Sequence, residues 1–277
     1  MKSVLITGGT GSFGQAFAAR LLKSDIERIA ILSRGEHAQS EMAHKFNDPR
    51  LRFFIGDVRD RDRLTRAFAG VDTVIHAAAL KRIEVGHYNP MEMVKTNING
   101  AMNVIEAAMD ANVKRVVGLS SDKAWQPISA YGQSKALAET LFINANNQRA
   151  TNGPTFRVVR YGNVAGSRGS VIPRWKALKR EGVDVVEVTD PNCTRFWMLM
   201  DEAVDLVMKA TEAEKEVLIP KLPAFKIGDL VAAMGFRMHV TGLPKWEKMH
   251  EGMEDGNTSD IARRMTVEEL SSGVAAL

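Results

Sequence analysis

The sequence predicts an α/β fold: a Rossmann-type doubly wound parallel sheet with a small C-terminal substrate-binding lobe. Short, nearly continuous apolar runs alternate with helix-period segments through the first two thirds of the chain. A glycine-rich turn, "GGTGSFG", follows the first run and opens the first helix. After Val164 the alternation loosens. Strands that are apolar on both faces and separated by helices belong in a parallel sheet covered on both sides. Right-handed crossovers then wind the sheet in both directions.

Taken in order, residues 3–9 form the first strand and residues 12–24 the helix after it. Further strands fall at 28–34, 51–58, 71–80, 113–121 and 156–164, with helices at 91–110 and 130–147. Beyond them, "GSRGSVIPRW" reads as a loop with Pro173 near a helix start. Residues 183–189, 217–220 and 239–242 read as short strands, and 200–212 as an amphipathic helix. The tail from Met253 is polar and weakly patterned, either a loop with a terminal helix or partly disordered. These elements divide the chain into a dinucleotide-binding domain at 1–165 and a substrate lobe at 166–277, the latter interleaved with the last sheet elements.

With 277 residues, 45% of them hydrophobic and 25% charged, the composition is that of a globular protein. The net charge of +4 is small against 37 basic and 33 acidic residues, which favours anionic small molecules over nucleic acid. A single cysteine, Cys193, excludes an internal disulfide and fits a reducing compartment. The first strand begins so early that no signal peptide is expected, and no run approaches the roughly 18–20 apolar residues of a membrane span. A soluble, cytoplasmic protein without a membrane partner is therefore expected. The six histidines have no metal-ligand spacing, so no metal is expected.

Gly8, Gly11 and Gly14 suit a turn in which backbone approaches a pyrophosphate at a helix N-terminus, with Thr10, Ser12 and Phe13 between them. A bare glycine turn is the competing reading. After the second strand, where an NAD site usually has an acidic residue, stand Ser33 and Arg34. A hydroxyl and a guanidinium would bind a 2′-phosphate, so NADP is favoured over NAD; a surface arginine is the alternative. Asp57 and Val58 end the third strand, where the Asp can accept from an adenine amino group or simply cap the chain.

Tyr131 and Lys135 are four apart on the helix after the fifth strand and share a face. They lie toward the carboxyl edge of the sheet, where ligands bind. A nearby ammonium and a nicotinamide charge would lower the phenol pKa, so that the phenolate takes a proton from an alcohol as hydride leaves. Just upstream is a second ionisable pair, Asp122 and Lys123, which simple oxidation does not need. A solvated turn would explain it equally well.

The motifs "GGTGSFG", "HAAAL", "YGQSK" and "RYGN" resemble those of the extended short-chain dehydrogenase/reductase family. Within it, "RFFIGDVRD", "HAAALKR", "KTNINGAMNVI", "SSDKA", "RYGNVAGSRGSVIP" and "TRFW" are similar to the C5-inverting UDP-N-acetylglucosamine 4,6-dehydratases of pseudaminic acid biosynthesis. The resemblance implies a tightly bound NADP, regenerated at each turnover, and a UDP-N-acetylglucosamine substrate. It implies oxidation at C4 by Tyr131 and Lys135, loss of water across C5 and C6, and return of hydride to C6. Lys123 would take the C5 proton, which requires a depressed pKa, and Asp122 would assist the leaving hydroxyl.

By the same resemblance Ala77 and Leu119 line the cofactor cleft, and Lys81 lies near cofactor and sugar. Ser121 keeps a hydroxyl beside the acid–base pair, and Asn97 braces the active-site helix or a relay water. Asn163, Val164, Val171 and Thr189 touch the substrate, while Arg168 and Arg195 bind its pyrophosphate. Relatives form homo-oligomers, so a dimer to a hexamer is expected. The chain departs from the family in "LPKWEKMHE", where Pro244 and Trp246 stand at an Arg and a Gly and Lys245 is a substitute for the Arg. Two other readings remain: a nucleotide-sugar 4-epimerase or reductase, which needs only the Tyr–Lys pair, and a non-catalytic NADP-binding regulator, which would discard it.

Overall fold

The structure, a computed structural model, describes residues 1–277. The six apolar runs become β1 (Ser3–Thr7), β2 (Arg28–Ser33), β3 (Leu51–Ile55), β4 (Thr73–His76), β5 (Arg115–Leu119) and β6 (Thr155–Val159). Their order across the sheet is β3-β2-β1-β4-β5-β6, all parallel. The order reverses direction between β1 and β4, and such a switch point opens a crevice beyond the strand ends. The strands are shorter than the apolar runs: residues 71–80 contribute only Thr73–His76 to the sheet. Residues 77–80 continue past the strand and line the crevice.

The crossovers are α1 (Ser12–Leu21), α2 (Glu36–Phe46), α3 (Arg61–Phe68), α4 (Ile83–Tyr88), α5 (Pro90–Met93), α6 (Gly100–Asp110) and α7 (Ala130–Gln148). Residues expected as one helix from 91 to 110 run instead through α5, a π-helical stretch at Val94–Asn99, and α6. One sheet face buries Phe68, Val104, Phe142 and Phe156 beneath α3, α6 and α7. The other buries Phe17, Leu21 and Met42 from α1 and α2.

The C-terminal third adds α8 (Val171–Arg180), β7 (Val185–Val188), β8 (Thr194–Phe196), α9 (Met200–Ala210), β9 (Val217–Leu218), β10 (Ala224–Lys226), α10 (Ile227–Ala233), β11 (Arg237–Val240), β12 (Gly252–Glu254), β13 (Asn257–Thr258) and α11 (Val267–Ala275). β9 joins the large sheet beside β6, and Val204 and Val207 of α9 pack into the core under α1. The other elements surround a separate core of Trp175, Trp197, Phe225, Phe236 and Leu270. The weakly patterned tail is thus a hairpin and a terminal helix, tied down by buried Leu270 and Val274. No helix is long and apolar enough to cross a membrane.

Candidate active site

A cleft of about 1070 Å³ lies over the carboxyl ends of β1, β4, β5 and β6. Its floor is the glycine turn. A Cβ on Gly14 would lie 2.4 Å from the Gly9 carbonyl oxygen, so only glycine lets α1 close against the turn. The first-turn N–H groups of α1 have no side-chain cap, and Gly11, Ser12, Phe13 and Gly14 all face the cleft. This is a cradle for a pyrophosphate. Gly8, Thr10, Ser33, Arg34, Asp57, Val58, Ala77 and Leu119 line the same cleft. The Gln39 amide donates to Ser33 Oγ at 3.0 Å, leaving the serine proton for another acceptor. Asp57 is held below its usual carboxylate range: burial opposes this, but hydrogen bonds from Arg59 prevail, with the Arg34 charge helping. The donors present fit a dinucleotide.

The second half of the site forms where β5 ends. Ser121 caps a single turn of 3₁₀ helix at Asp122–Ala124 by accepting from the Lys123 N–H. Ser129 then caps α7 through the Gly132 N–H. A Cβ on Gly132 would meet the Lys123 carbonyl oxygen at 2.4 Å. Glycine there lets the start of α7, with Tyr131, sit directly on the turn that carries Asp122 and Lys123. Asn97, in the π-helical stretch, accepts from the Leu80 N–H at 2.8 Å and donates to the Leu80 carbonyl and to Ser134 Oγ, each at 2.9 Å. It braces α7 against the loop after β4.

Lys135 is buried and donates to the Leu119 carbonyl. Burial lowers its pKa to about 8, against the opposing charge of Glu139 one turn on. Arg160 grips Glu139 through both carboxylate oxygens. Burial raises the Tyr131 pKa, and the Lys123 charge and a hydrogen bond from Ser121 only partly offset that. The ammonium acting on the phenol is that of Lys123, because Lys135 is turned onto a carbonyl.

Lys123 also corrects an expectation. Burial lowers its pKa, but the carboxylates of Asp122 and Glu251 outweigh burial and raise it well above the usual ammonium value. Its Nζ lies 3.2 Å from Asp122 Oδ1, 3.3 Å from Glu251 Oε1 and 3.4 Å from Asn163 Oδ1. Asp122 itself is 1% exposed, accepts from Ser121 Oγ at 2.8 Å, and has no partner for Oδ2. The pair is therefore no solvated turn.

Lys81, Ser121, Asn163, Val164 and Arg168 line the cleft with Tyr131. The Lys81 Nζ donates to the Arg168 carbonyl, and its pKa is lowered by partial burial and by Arg82 and Arg168. Three cations at one rim make an anion site, and Arg82 is a member that the motifs did not single out. Asp122, Val171, Thr189 and Arg195 do not line the cleft. Arg195 is corrected as a pyrophosphate ligand: it is 5% exposed, and its guanidinium is committed to Glu247 Oε1 at 2.6 Å and to the Thr194 and Met249 carbonyls. Glu251 was also missed as a neighbour of Lys123. It lies 128 residues further on, and no local spacing connects the two. His76 is buried against Thr7 Oγ1 at 2.9 Å, and burial with the Lys135 charge lowers its pKa to about 3.

The chain is similar to known proteins along nearly its whole length. A family described as "Polysaccharide biosynthesis protein" matches residues 4–269. The chain is 45% identical over 265 residues to a UDP-N-acetylglucosamine 4,6-dehydratase (inverting) of Campylobacter jejuni, covering 94% of this chain and 79% of the relative. It is 45% identical over 239 residues to a UDP-glucose 4-epimerase of Rickettsia conorii, covering 84% and 70%. Among solved structures, Pen from Bacillus thuringiensis superposes with a TM-score of 0.94 at 33% identity, covering 100% of this chain and 98% of that one.

Proposed function

The chain belongs to the polysaccharide biosynthesis protein family, and on that premise we propose that it is a hydro-lyase, an NADP-dependent UDP-N-acetylglucosamine 4,6-dehydratase of the C5-inverting kind. The observation that carries this reading is the Asp122–Lys123 pair: Lys123 lines the cleft with Tyr131, and its Nζ lies 3.2 Å from the carboxylate of buried Asp122 just behind it. An epimerase has use for Tyr131 and Lys135 but no need of a second acid–base pair. The product is a 4-keto-6-deoxy sugar nucleotide for a surface glycan such as pseudaminic acid. The enzyme works in the cytoplasm as a homo-oligomer.

Bound in the cleft, NADP supplies the acceptor and later the donor of hydride. Gly11 to Gly14 and the α1 N-terminus hold its pyrophosphate, and Ser33 with Arg34 holds the 2′-phosphate. Tyr131 takes the proton of the C4 hydroxyl, with the phenolate stabilised by the Lys123 charge, while Lys135 holds the end of β5 against α7. The C4 ketone acidifies C5–H. Lys123 then removes the C5 proton while Asp122 protonates the departing C6 hydroxyl. Lys81, Arg82 and Arg168 neutralise the substrate pyrophosphate and fix the sugar over these groups.

The test is to incubate the purified protein with UDP-N-acetylglucosamine and follow product mass. Loss of one water supports the proposal. Unchanged mass with inverted C4 would establish the epimerase instead, and no turnover would overturn both.

A further inference from the structure

One hydrogen bond joins the glycine turn to the cationic rim of the cleft. Ser12, the first residue of α1, and residues 167–170, which lead into α8, line the same cleft. Ser12 Oγ accepts from the Arg168 N–H at 2.9 Å, across 156 positions of sequence. The Arg168 carbonyl in turn accepts from Lys81 Nζ at 3.0 Å. The Arg168 backbone is thus held from both sides, by the cofactor's cradle and by the loop after β4. The loop around it is internally bonded: the Ser167 N–H donates to the Val164 carbonyl at 3.2 Å and the Ser170 N–H to the Ser167 carbonyl at 3.0 Å. Gly169 takes a φ of +78°, and a Cβ there would lie 3.2 Å from Arg82 Nη2, so the third cation of the rim rests against this loop. α8, like α1, has no side-chain cap, and Ser170 Oγ is buried without a partner. A serine hydroxyl has one proton and two lone pairs. At Ser12 one lone pair is taken by Arg168, and the proton remains for a phosphate oxygen held at the α1 N-terminus.

We propose that Ser12 is a positioning residue for the substrate: through Arg168 it fixes the substrate's pyrophosphate site once the cofactor's pyrophosphate is in place, so that the two nucleotides bind with positive coupling. This rests on the reading of Lys81, Arg82 and Arg168 as the substrate's pyrophosphate site. In the empty cleft the Ser12–Arg168 bond is open to water, which competes for both groups. A cofactor phosphate that accepts the Ser12 proton fixes the hydroxyl, excludes water and polarises the oxygen, which strengthens the bond it accepts. The loop is then held where Arg168 meets Lys81, and a second diphosphate finds its cations already placed. Two diphosphates in one cleft repel each other, so a positive coupling has to come from the protein. Linkage makes the effect reciprocal. Substrate therefore tightens the hold on a cofactor that must stay bound from the oxidation at C4 to the return of hydride at C6.

The experiment titrates UDP by calorimetry into the cofactor-free and the NADP-loaded protein. UDP carries the diphosphate but no sugar to touch the nicotinamide. The readout is the ratio of the two UDP dissociation constants. In wild type, UDP is expected to bind about 10-fold tighter to the NADP-loaded protein, within the usual range of coupling between sites. In Ser12→Ala the ratio is expected to fall to about 1 or below, and Ser12→Thr, which keeps the hydroxyl, to recover most of it. A merely structural role would weaken UDP equally in both states and leave the ratio unchanged. If Ser12→Ala no longer binds NADP, Gly169→Ala reads the same link from its other end, because a methyl there strains the φ of +78° and moves the loop off Ser12 while the glycine turn stays intact. Loss of the ratio in Gly169→Ala with NADP affinity unchanged supports the proposal, and a wild-type ratio overturns it. A wild-type ratio in Ser12→Ala, or no tightening by NADP in wild type, also overturns it. If UDP binds neither form of the wild type, the reading of the rim as a pyrophosphate site falls, and the role of Ser12 with it.

Discussion

The Lys123 Nζ lies 3.2 Å from Asp122 Oδ1, with the carboxylate 1% exposed and the two residues adjacent in the chain. Neighbours in sequence do not ordinarily point their side chains at each other. Here the 3₁₀ turn capped by Ser121 bends the backbone enough to bring them together. An acid and a base so placed can serve adjacent carbons of one sugar.

Removing the base tests that assignment. Lys123→Met is expected to lower water elimination by about 100- to 10,000-fold, the range spanned by general acid–base catalysis. NADP affinity should stay within a few-fold, because the glycine turn and Arg34 are untouched. Product mass and cofactor titration measure the two effects separately, and normal elimination by this variant would remove Lys123 from the reaction.

Gly132→Ala places a methyl carbon where it meets the Lys123 carbonyl oxygen at 2.4 Å. Either α7 or the Asp122–Ala124 turn must move. A destabilisation of about 1–3 kcal/mol is expected from such overpacking. The loss of activity should exceed the loss of folded protein, because Tyr131 shifts with the helix. Denaturant unfolding and specific activity of the folded fraction would show this; wild-type values for both would mean that the helix contact is dispensable.

Arg34→Ala should discriminate between the cofactors. A charge-assisted hydrogen bond is worth about 1.5–3 kcal/mol, which corresponds to roughly 10- to 150-fold in affinity. NADP binding should weaken by that factor while NAD binding is unchanged. Equal affinities of the variant and wild type for NADP would leave Arg34 as a surface charge.

His76 predicts how stability responds to acid. Its folded-state pKa is about 3, against 6.5 for the free side chain. Below pH 6.5 the unfolded chain binds a proton that the folded one refuses, so stability falls as pH drops from about 6.5 toward 3. The slope from this residue is at most about 1.4 kcal/mol per pH unit. His76→Gln should flatten the curve between pH 6.5 and 4.5 in denaturant unfolding. Parallel curves for the two proteins would show that other groups govern acid unfolding.

Much of the fold was legible because it depends on local pattern. Residues 3–9 and 28–34 are apolar on both faces, and only a covered parallel strand accommodates that. The glycine turn and the Tyr131–Lys135 spacing report backbone geometry and one helical turn, both local. The single helix expected at 91–110 was less legible, since the π-helical stretch that aims Asn97 at Leu80 and Ser134 is set by contacts with another loop and another helix.

What the sequence by itself determined is the doubly wound sheet, the phosphate cradle and the presence of two ionisable pairs near one strand end. Tertiary structure alone decided the electrostatics. Arg195 is held by Glu247, Lys123 is kept charged by Asp122 and Glu251, and Tyr131 is raised by burial. A pKa depends on which charges lie within a few ångströms and on how much water is excluded. Here the deciding partners come from the 243–251 segment and from the packing of α7, which are far apart in the chain.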